Sequence, residues 1–365
     1  MKNTFLTEGN LSGLNQKDFQ KEINGRFTDL FILKNKKGME VAVTNYGCTI
    51  LSIMVPDKDG NYANVILGHD NIDSVINSPE PFLSTTVGRY ANRIAEGKFT
   101  LFGEEHELAI NNGPNSLHGG PTGFHTRVWH AEQIDESTIE FKRRSLNNEE
   151  GFPGLLEVQI RYHLEEDENS IVIDYHATTD TATIVNLTHH GFYNLAGINN
   201  PTPSIENNIV TINADYFIPM NKDSIPTGEI LKVEDTPMDF RTPFMVGERI
   251  NDRFEQLIFG AGYDHCYVLN KPEANELTLA ATCKEPVSGR TMEMYTTEEG
   301  VQLYTGNWLN GFTGAHGATF PARSAICFEA EFFPNTPNVS YFPSCTLLPG
   351  DEYTQTTIYK FGVEK

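Results

Sequence analysis

Apolar and polar residues alternate through the run LEVQIRYHL. Leu156, Val158, Ile160, Tyr162 and Leu164 fall on one side, and Glu157, Gln159, Arg161 and His163 on the other. A period of two marks a strand with one buried face. Shorter runs of the same character recur at residues 39–44, 50–55, 171–176, 209–212, 266–269, 277–281, 292–296, 301–305 and 325–333. Turn sequences punctuate them: Asp59-Gly60, Asn112-Gly113-Pro114, Gly119-Gly120-Pro121, Asn310-Gly311 and Pro349-Gly350. Helical periodicity is confined to two short stretches, residues 16–23 and 247–258. Strands do not alternate with long amphipathic helices, which argues against βαβ units and a parallel sheet. No repeat, low-complexity tract or linker interrupts the chain. The pattern predicts an all-β fold, one large antiparallel β-sandwich formed by residues 1–365 as a single domain.

Composition narrows the partners. The chain has 365 residues, 39% of them hydrophobic, which is enough for a large core. Asp and Glu number 49 against 27 Lys and Arg, a formal net charge of −22. Such a surface repels phosphate backbones and anionic lipids, so neither nucleic acid nor a membrane is expected as a partner. Neutral small molecules remain. The five cysteines are odd in number and far apart, with no zinc-type spacing, and read as free thiols. The N-terminal MKNTFLTEGNLSGLNQKDF is polar and lacks a signal-peptide core, and no run of about 18 apolar residues occurs. These features favour a soluble cytoplasmic protein; a periplasmic one remains compatible if a leader has been removed. Oligomeric state is not legible.

Several loops carry polar side chains suited to hydroxyl groups. VGRYANRI places Asn92 beside Arg93, an amide next to a fixed guanidinium fork. NSLHGG places His118 before two glycines, on backbone able to approach a ligand closely. NLTHHGFYNL sets His189 beside His190. In GYDHCYVL, Asp264 opens an apolar strand, where a turn-capping role is an even alternative. In VQLYTGNW, Gln302 lies on the face opposite Val301 and Leu303, and Trp308 is either a sugar platform or core. In AICFEAEFF, strand periodicity puts Ile326, Phe328, Ala330 and Phe332 on one face and Cys327, Glu329 and Glu331 on the other. Two carboxylates on such a strand mean either an exposed edge or a dry cleft that raises their pKa values.

Together and in this order, NYGCTILSIMVPD, VGRYANRIAEGKF, AINNGPNSLHGGPTGFHTRVW, VNLTHHGFYNLAG, YDHCYVL, VQLYTGNWLNG and the Glu329 strand resemble the aldose 1-epimerase (galactose mutarotase) family. The resemblance spans about residues 28–361. It implies the mutarotase-type β-sandwich, often termed a supersandwich, with an open sugar cleft. It also implies interconversion of the α and β anomers of free aldoses such as galactose and glucose. By the same resemblance Glu329 is the catalytic base and His190 the catalytic acid, while Asn92, Arg93, His118, Asp264 and Gln302 hold sugar hydroxyls; His189 supports the acid. A monosaccharide is the partner, and no cofactor or catalytic metal is required. Structural or adventitious Ca²⁺ is compatible with the many carboxylates, but no site is specified. Two departures stand out. Phe192-Tyr193 reverses the family's usual Tyr-Phe, which moves a hydroxyl to the other face of the strand. Glu331 stands where Gln is usual, an added charge expected to raise the pKa of Glu329.

Three rivals follow from the same residues. A mutarotase for phosphorylated hexoses needs a basic cluster, and Arg89 and Arg93 are the only arginines in the polar loops VGRYANRI, NSLHGG, NLTHHGFYNL, GYDHCYVL and VQLYTGNW. A silent sugar-binding module has no need of both His190 and Glu329. A metallohydrolase built from His118, His189, His190 and Asp264 conflicts with the opposite facing of adjacent strand residues.

Overall fold

The computed structural model describes residues 9–364; residues 1–8 and 365, including the start of the polar N-terminal stretch, lie outside the described part. Antiparallel sheets dominate. The largest has nine strands, in the order His130–Gln133, Thr138–Ser145, Leu156–Leu164, Ser170–Thr179, Tyr353–Val363, Arg290–Thr296, Thr278–Lys284, Ile209–Ile212 and Phe244–Met245. A five-stranded sheet runs Leu231–Lys232, Tyr216–Phe217, Asp264–Val268, Gly300–Tyr304, Cys327–Glu331. A four-stranded meander comprises Leu30–Lys34, Glu40–Thr44, Thr49–Pro56 and Tyr62–Asn64. Burial alternates along Leu156–Leu164 as its hydrophobic pattern requires. One continuous core joins all three sheets, with Ile53 from the meander, Ile160 and Tyr359 from the large sheet, and Leu303 and Phe328 from the five-stranded one. All five cysteines are free and buried. Among the described residues no helix is long and apolar enough to cross a membrane.

Both helical expectations are corrected. Residues 16–23 form a 3₁₀ turn, Gln16–Phe19, followed by strand Glu22–Ile23. The chain then reverses through Asn24 (φ 51°) and Gly25 (φ 76°), which no helix tolerates. Residues 247–258 break into Val246–Arg249 and Glu255–Gly260, because Phe254 is extended (φ −104°, ψ 130°) between them.

Cys327–Glu331 lies at the edge of its sheet, yet all five of its residues are buried. Its outer carbonyls are met by side chains of the large sheet: Tyr359 Oη donates to Phe328 O at 2.8 Å, and Gln355 Nε2 to Ala330 O at 3.3 Å. The Asn186 Oδ1 accepts from Phe332 N just beyond the strand. Every potential edge bond named here is closed without an additional strand, so the edge is not open to pairing.

Candidate active site

The register of the five-stranded sheet assembles the floor. Gln302 pairs with Cys266 on one side and with Glu329 on the other, while Tyr304 pairs with Asp264 and Cys327. Directly paired residues share a face, as do residues two apart. Asp264, Gln302, Tyr304, Cys327, Glu329 and Glu331 therefore lie on one face, and His265, Tyr267, Val301, Leu303, Phe328 and Ala330 face the core. Glu329 and Glu331 are 2% and 0% exposed, which decides between edge and cleft in favour of the cleft.

Two loops wall this floor. Strand Arg93–Ile94 pairs with Ser116–Leu117, bringing Asn92 and His118 side by side. Asn92 N donates to His118 Nδ1 at 3.0 Å, His118 N donates to Asn92 O at 3.1 Å, and Asn92 Nδ2 donates to Glu331 Oε1 at 2.8 Å. Both residues are left-handed, with φ of 64° and 51°. Such strained backbone persists only where the surroundings impose it. The glycines after His118 have a different use from the one expected. A Cβ on Gly119 (φ 83°) would lie 1.9 Å from Gly88 O, so the close approach is to the neighbouring loop, which locks the two loops together. Gly120 abuts the Glu150 carboxylate in the same way.

His190 enters from the strand Thr188–His189, paired with Thr86–Val87. Its Nε2 lies 3.5 Å from Glu329 Oε2. Phe192 stacks on its ring at 4.7 Å, 13° from parallel, and Phe82 and Tyr304 enclose it further. His189 turns the opposite way, its Nε2 donating to Ser84 O at 3.0 Å while the ring meets Tyr162 edge-on. The doublet therefore splits between cleft and core. Tyr193, whose hydroxyl is the displaced one, is fully buried against Tyr359 and Phe361, away from the cleft.

All seven expected site residues gather here except that Arg93 and Asp264 stand at the rim, both half-buried. Arg93 is braced by its Nε donating to Asn112 Oδ1 at 3.0 Å, and Gln302 Nε2 donates to Asp264 Oδ1 at 2.7 Å. Buried atoms with no hydrogen-bond partner among the described residues include His190 Nδ1, Gln302 Oε1, Glu329 Oε2 and Glu331 Oε2. Unpaired buried polar atoms are costly, and a hydrogen-bonding ligand seated in this cleft would pair these four.

Burial dominates the electrostatics. It pushes His190 down to about 3 and lowers His118 as well, with His190 nearby as a second cause. It raises Glu329 well above the carboxylate range, helped by the charges of Glu331 and Asp264 and opposed by Arg93. Glu331 is raised by burial too, though its bond from Asn92 favours the charged form. Neither Asp264 nor Glu329 offsets the effect of burial on His190, so the dry surroundings favour the neutral forms of His190 and Glu329.

One nitrogen each from His118 and His190 and a Glu329 oxygen lie within 4.8 Å of one another, close enough to suggest a cation site. The tautomer opposes it. Because His118 Nδ1 accepts from Asn92, its Nε2 carries hydrogen and reaches the cleft as a donor, with no lone pair for a metal.

Arg89, singled out beside Arg93, is not in the cleft. It is 2% exposed, and its guanidinium donates to Ser145 Oγ, Ser145 O, Leu146 O, Pro153 O and Gly154 O. Trp308 is not core; it is 64% exposed, and its backbone N donates to Tyr304 Oη at 3.1 Å. Sequence reasoning passed over Tyr304, Phe82 and Asn112. Tyr304 follows Gln302 by two and shares its face, a signal already in the strand period. Phe82 lies in an aperiodic loop that offers no such signal. A groove of about 1380 Å³ is lined by residues such as Arg26, Trp129, Lys142 and Gln159 and shares none with this cleft.

Known proteins place the chain. The aldose 1-epimerase family profile matches residues 29–360. The galactose mutarotase of Bos taurus is 41% identical over 326 residues, covering 89% of this chain and 92% of that protein. The aldose 1-epimerase of Escherichia coli K12 is 33% identical over 338 residues, covering 92% and 95%. Among solved structures, an aldose epimerase homologue from C. elegans superposes with a TM-score of 0.85 at 29% identity, covering 93% of this chain and all of that one. A galactose 1-epimerase from Lactobacillus acidophilus gives 0.82 at 26% identity, covering 94% and 97%. A profile match across nearly the whole chain, with relatives of this identity and coverage, establishes that the chain belongs to the aldose 1-epimerase family.

Proposed function

We propose that this enzyme interconverts the α and β anomers of free aldohexoses, galactose and glucose among them, with Glu329 as base and His190 as acid. The observation that carries the reading is the 3.5 Å separation of Glu329 Oε2 and His190 Nε2. The anomeric oxygen and the ring oxygen are bonded to the same carbon. A base for one and an acid for the other must therefore stand close together, as these two do.

Glu329 takes the proton of the anomeric hydroxyl while His190 gives one to the ring oxygen. The C1–ring-oxygen bond breaks as the C1 carbonyl forms, leaving an open-chain aldehyde. The aldehyde turns about C1–C2 and the ring hydroxyl adds to its other face, with Glu329 and His190 exchanging roles. Each group ends as it began, so the cycle requires no cofactor. Positioned acid–base catalysis is typically worth about 10²–10⁴-fold. Burial favours a proton on Glu329 and its absence from His190, so the pair is best treated as a unit sharing that proton. Hydroxyls donating to Glu329 favour its carboxylate and so move that proton to His190, the arrangement ring opening needs. Asn92, Arg93, His118, Asp264 and Gln302 hold the remaining hydroxyls; His118 contributes an Nε2–H donor and Asp264 an acceptor.

A phosphorylated sugar fits poorly. The Arg89 guanidinium is consumed by five acceptors, which leaves Arg93 facing Asp264, Glu329 and Glu331. Polarimetry on freshly dissolved α-D-galactose tests the reading. Faster decay of rotation to the same endpoint, lost in His190→Ala, supports it; galactose binding without acceleration makes the chain a sugar-binding module.

A further inference from the structure

Three neighbouring histidines are oriented in two different ways. A histidine ring is usually held in one plane and tautomer by the bond that its second nitrogen makes. His118 is held in that manner by Asn92 N, which donates to its Nδ1, and His189 by the bond from its Nε2 to Ser84 O. His190 is not: no other described residue pairs with its buried Nδ1. Aromatic rings take over the task. Phe192 lies 13° from parallel to the imidazole, with 4.7 Å between centroids. Tyr304 stands edge-on to both members of this stack, at 82° to His190 and 86° to Phe192. The supporting rings are themselves fixed. Phe192 N donates to Ser84 Oγ at 3.3 Å, Phe192 O accepts from Leu67 N at 2.9 Å, and the side chain packs into the cluster of Leu67, Leu83 and Leu309. The Tyr304 hydroxyl accepts from Trp308 N. The Nε2 of the ring so held faces Glu329 Oε2 at 3.5 Å.

A stacked phenyl ring does more than hold its neighbour. The face of the ring carries partial negative charge and attracts a cation lying over it, most strongly where water is excluded. It gains nothing comparable from a neutral imidazole. Burial keeps His190 neutral, so the imidazolium is a state that turnover has to reach. In the transition state of ring opening His190 still carries part of that charge. We propose that Phe192 is a positioning residue for the acid: its ring sets the plane of His190 with Nε2 toward Glu329, and its face stabilises the imidazolium on which ring opening depends. The assignment rests on the mutarotase reading. Phe192 is 0% exposed, so it acts through His190 and not on the sugar.

Fluorinated phenylalanines in place of Phe192 provide the test, with Phe192→Leu beside them. Each added fluorine drains charge from the face of the ring and leaves its shape nearly unchanged, so the mono-, di- and trifluorinated proteins remain informative if Phe192→Leu does not fold. Polarimetry gives kcat and KM for galactose, and titration calorimetry gives binding independent of turnover. The expected result is a stepwise fall in kcat with each fluorine, to about a tenth of the parent value in the trifluorinated protein, with KM and Kd held within about twofold. Phe192→Leu removes both the face and the flat support, and lowers kcat at least as far with Kd again preserved. A purely structural role for Phe192 predicts a kcat that is flat across the fluorinated series. That result, or a Phe192→Leu loss that falls on Kd instead of kcat, overturns the proposal. Failure of the mutarotase reading is recorded separately, as a parent protein that binds galactose without accelerating its mutarotation.

Discussion

Replacing Glu331 with Gln tests the electrostatics of the site most directly. Glu329 and Glu331 point the same way from one strand, two residues apart, so their carboxylates are separated by about 7 Å. At an effective dielectric constant of about 20, two unit charges at that distance repel by about 2.4 kcal/mol. Asn92 Nδ2 donates to Glu331, which makes it the first of the two to ionise, so Glu329 titrates against its full charge. Gln preserves the acceptor for Asn92 and removes the charge. Asp264, Glu80 and Arg93 also act on Glu329 and are unchanged. Glu329 works as a base only when ionised, so activity falls as pH drops through its pKa. Lowering that pKa moves the acid limb of kcat/KM to lower pH. Polarimetric rates across the pH range, corrected for spontaneous mutarotation, give the limb. An acid limb that stays in place, or moves upward, refutes the charge argument.

Glu329→Gln and His190→Ala each lower kcat by about 10²–10⁴-fold while galactose binding persists, read by polarimetry and calorimetry; loss of binding alone contradicts their assigned roles. Arg89→Lys strands several of the five acceptors held by the guanidinium and costs roughly 3 kcal/mol or more of stability, seen in thermal unfolding, with KM unchanged in the folded fraction. Glu298 is buried beside Tyr353 and pushed up to about 8 by burial. The folded protein keeps a proton there that the unfolded chain releases, so this contribution is intact below pH ~4.5 and declines as pH rises through about 8, by up to ~5 kcal/mol. Glu298→Gln abolishes the decline and raises Tm at pH 9 relative to pH 5; a parallel pair of Tm–pH curves contradicts it.

Regular alternation was the most legible part of the chain. It located Leu156–Leu164 and Ile209–Ile212 with their observed bounds and sorted the two faces of Cys327–Glu331 correctly. The long strand Tyr353–Val363 at the centre of the large sheet went unnoticed, because its alternation sets Tyr, Gln and Thr beside Thr, Ile and Lys without a sharp apolar contrast. The seven site residues were named by resemblance, while their gathering depends on cross-strand register and on loops more than 200 residues apart, as with Asn92 and Glu331. No local pattern encodes that. Arg89 and Arg93 also look alike in VGRYANRI, and only the acceptors around Arg89 separate its buried guanidinium from the partly exposed Arg93. The state of His190 depends on the depth of the cleft, which no residue type reports.

The fastening of Cys327–Glu331 by Tyr359 and Gln355 has a mechanical consequence. The strand that carries Glu329 is anchored crosswise to the second layer, and no flexible hinge intervenes between that anchorage and Glu329. Any slip of one layer over the other moves Phe328, and with it Glu329, relative to His190. Turnover therefore acts as a gauge of interlayer alignment: on heating, catalysis should vanish with the first loosening of the two layers, ahead of any loss of strand content.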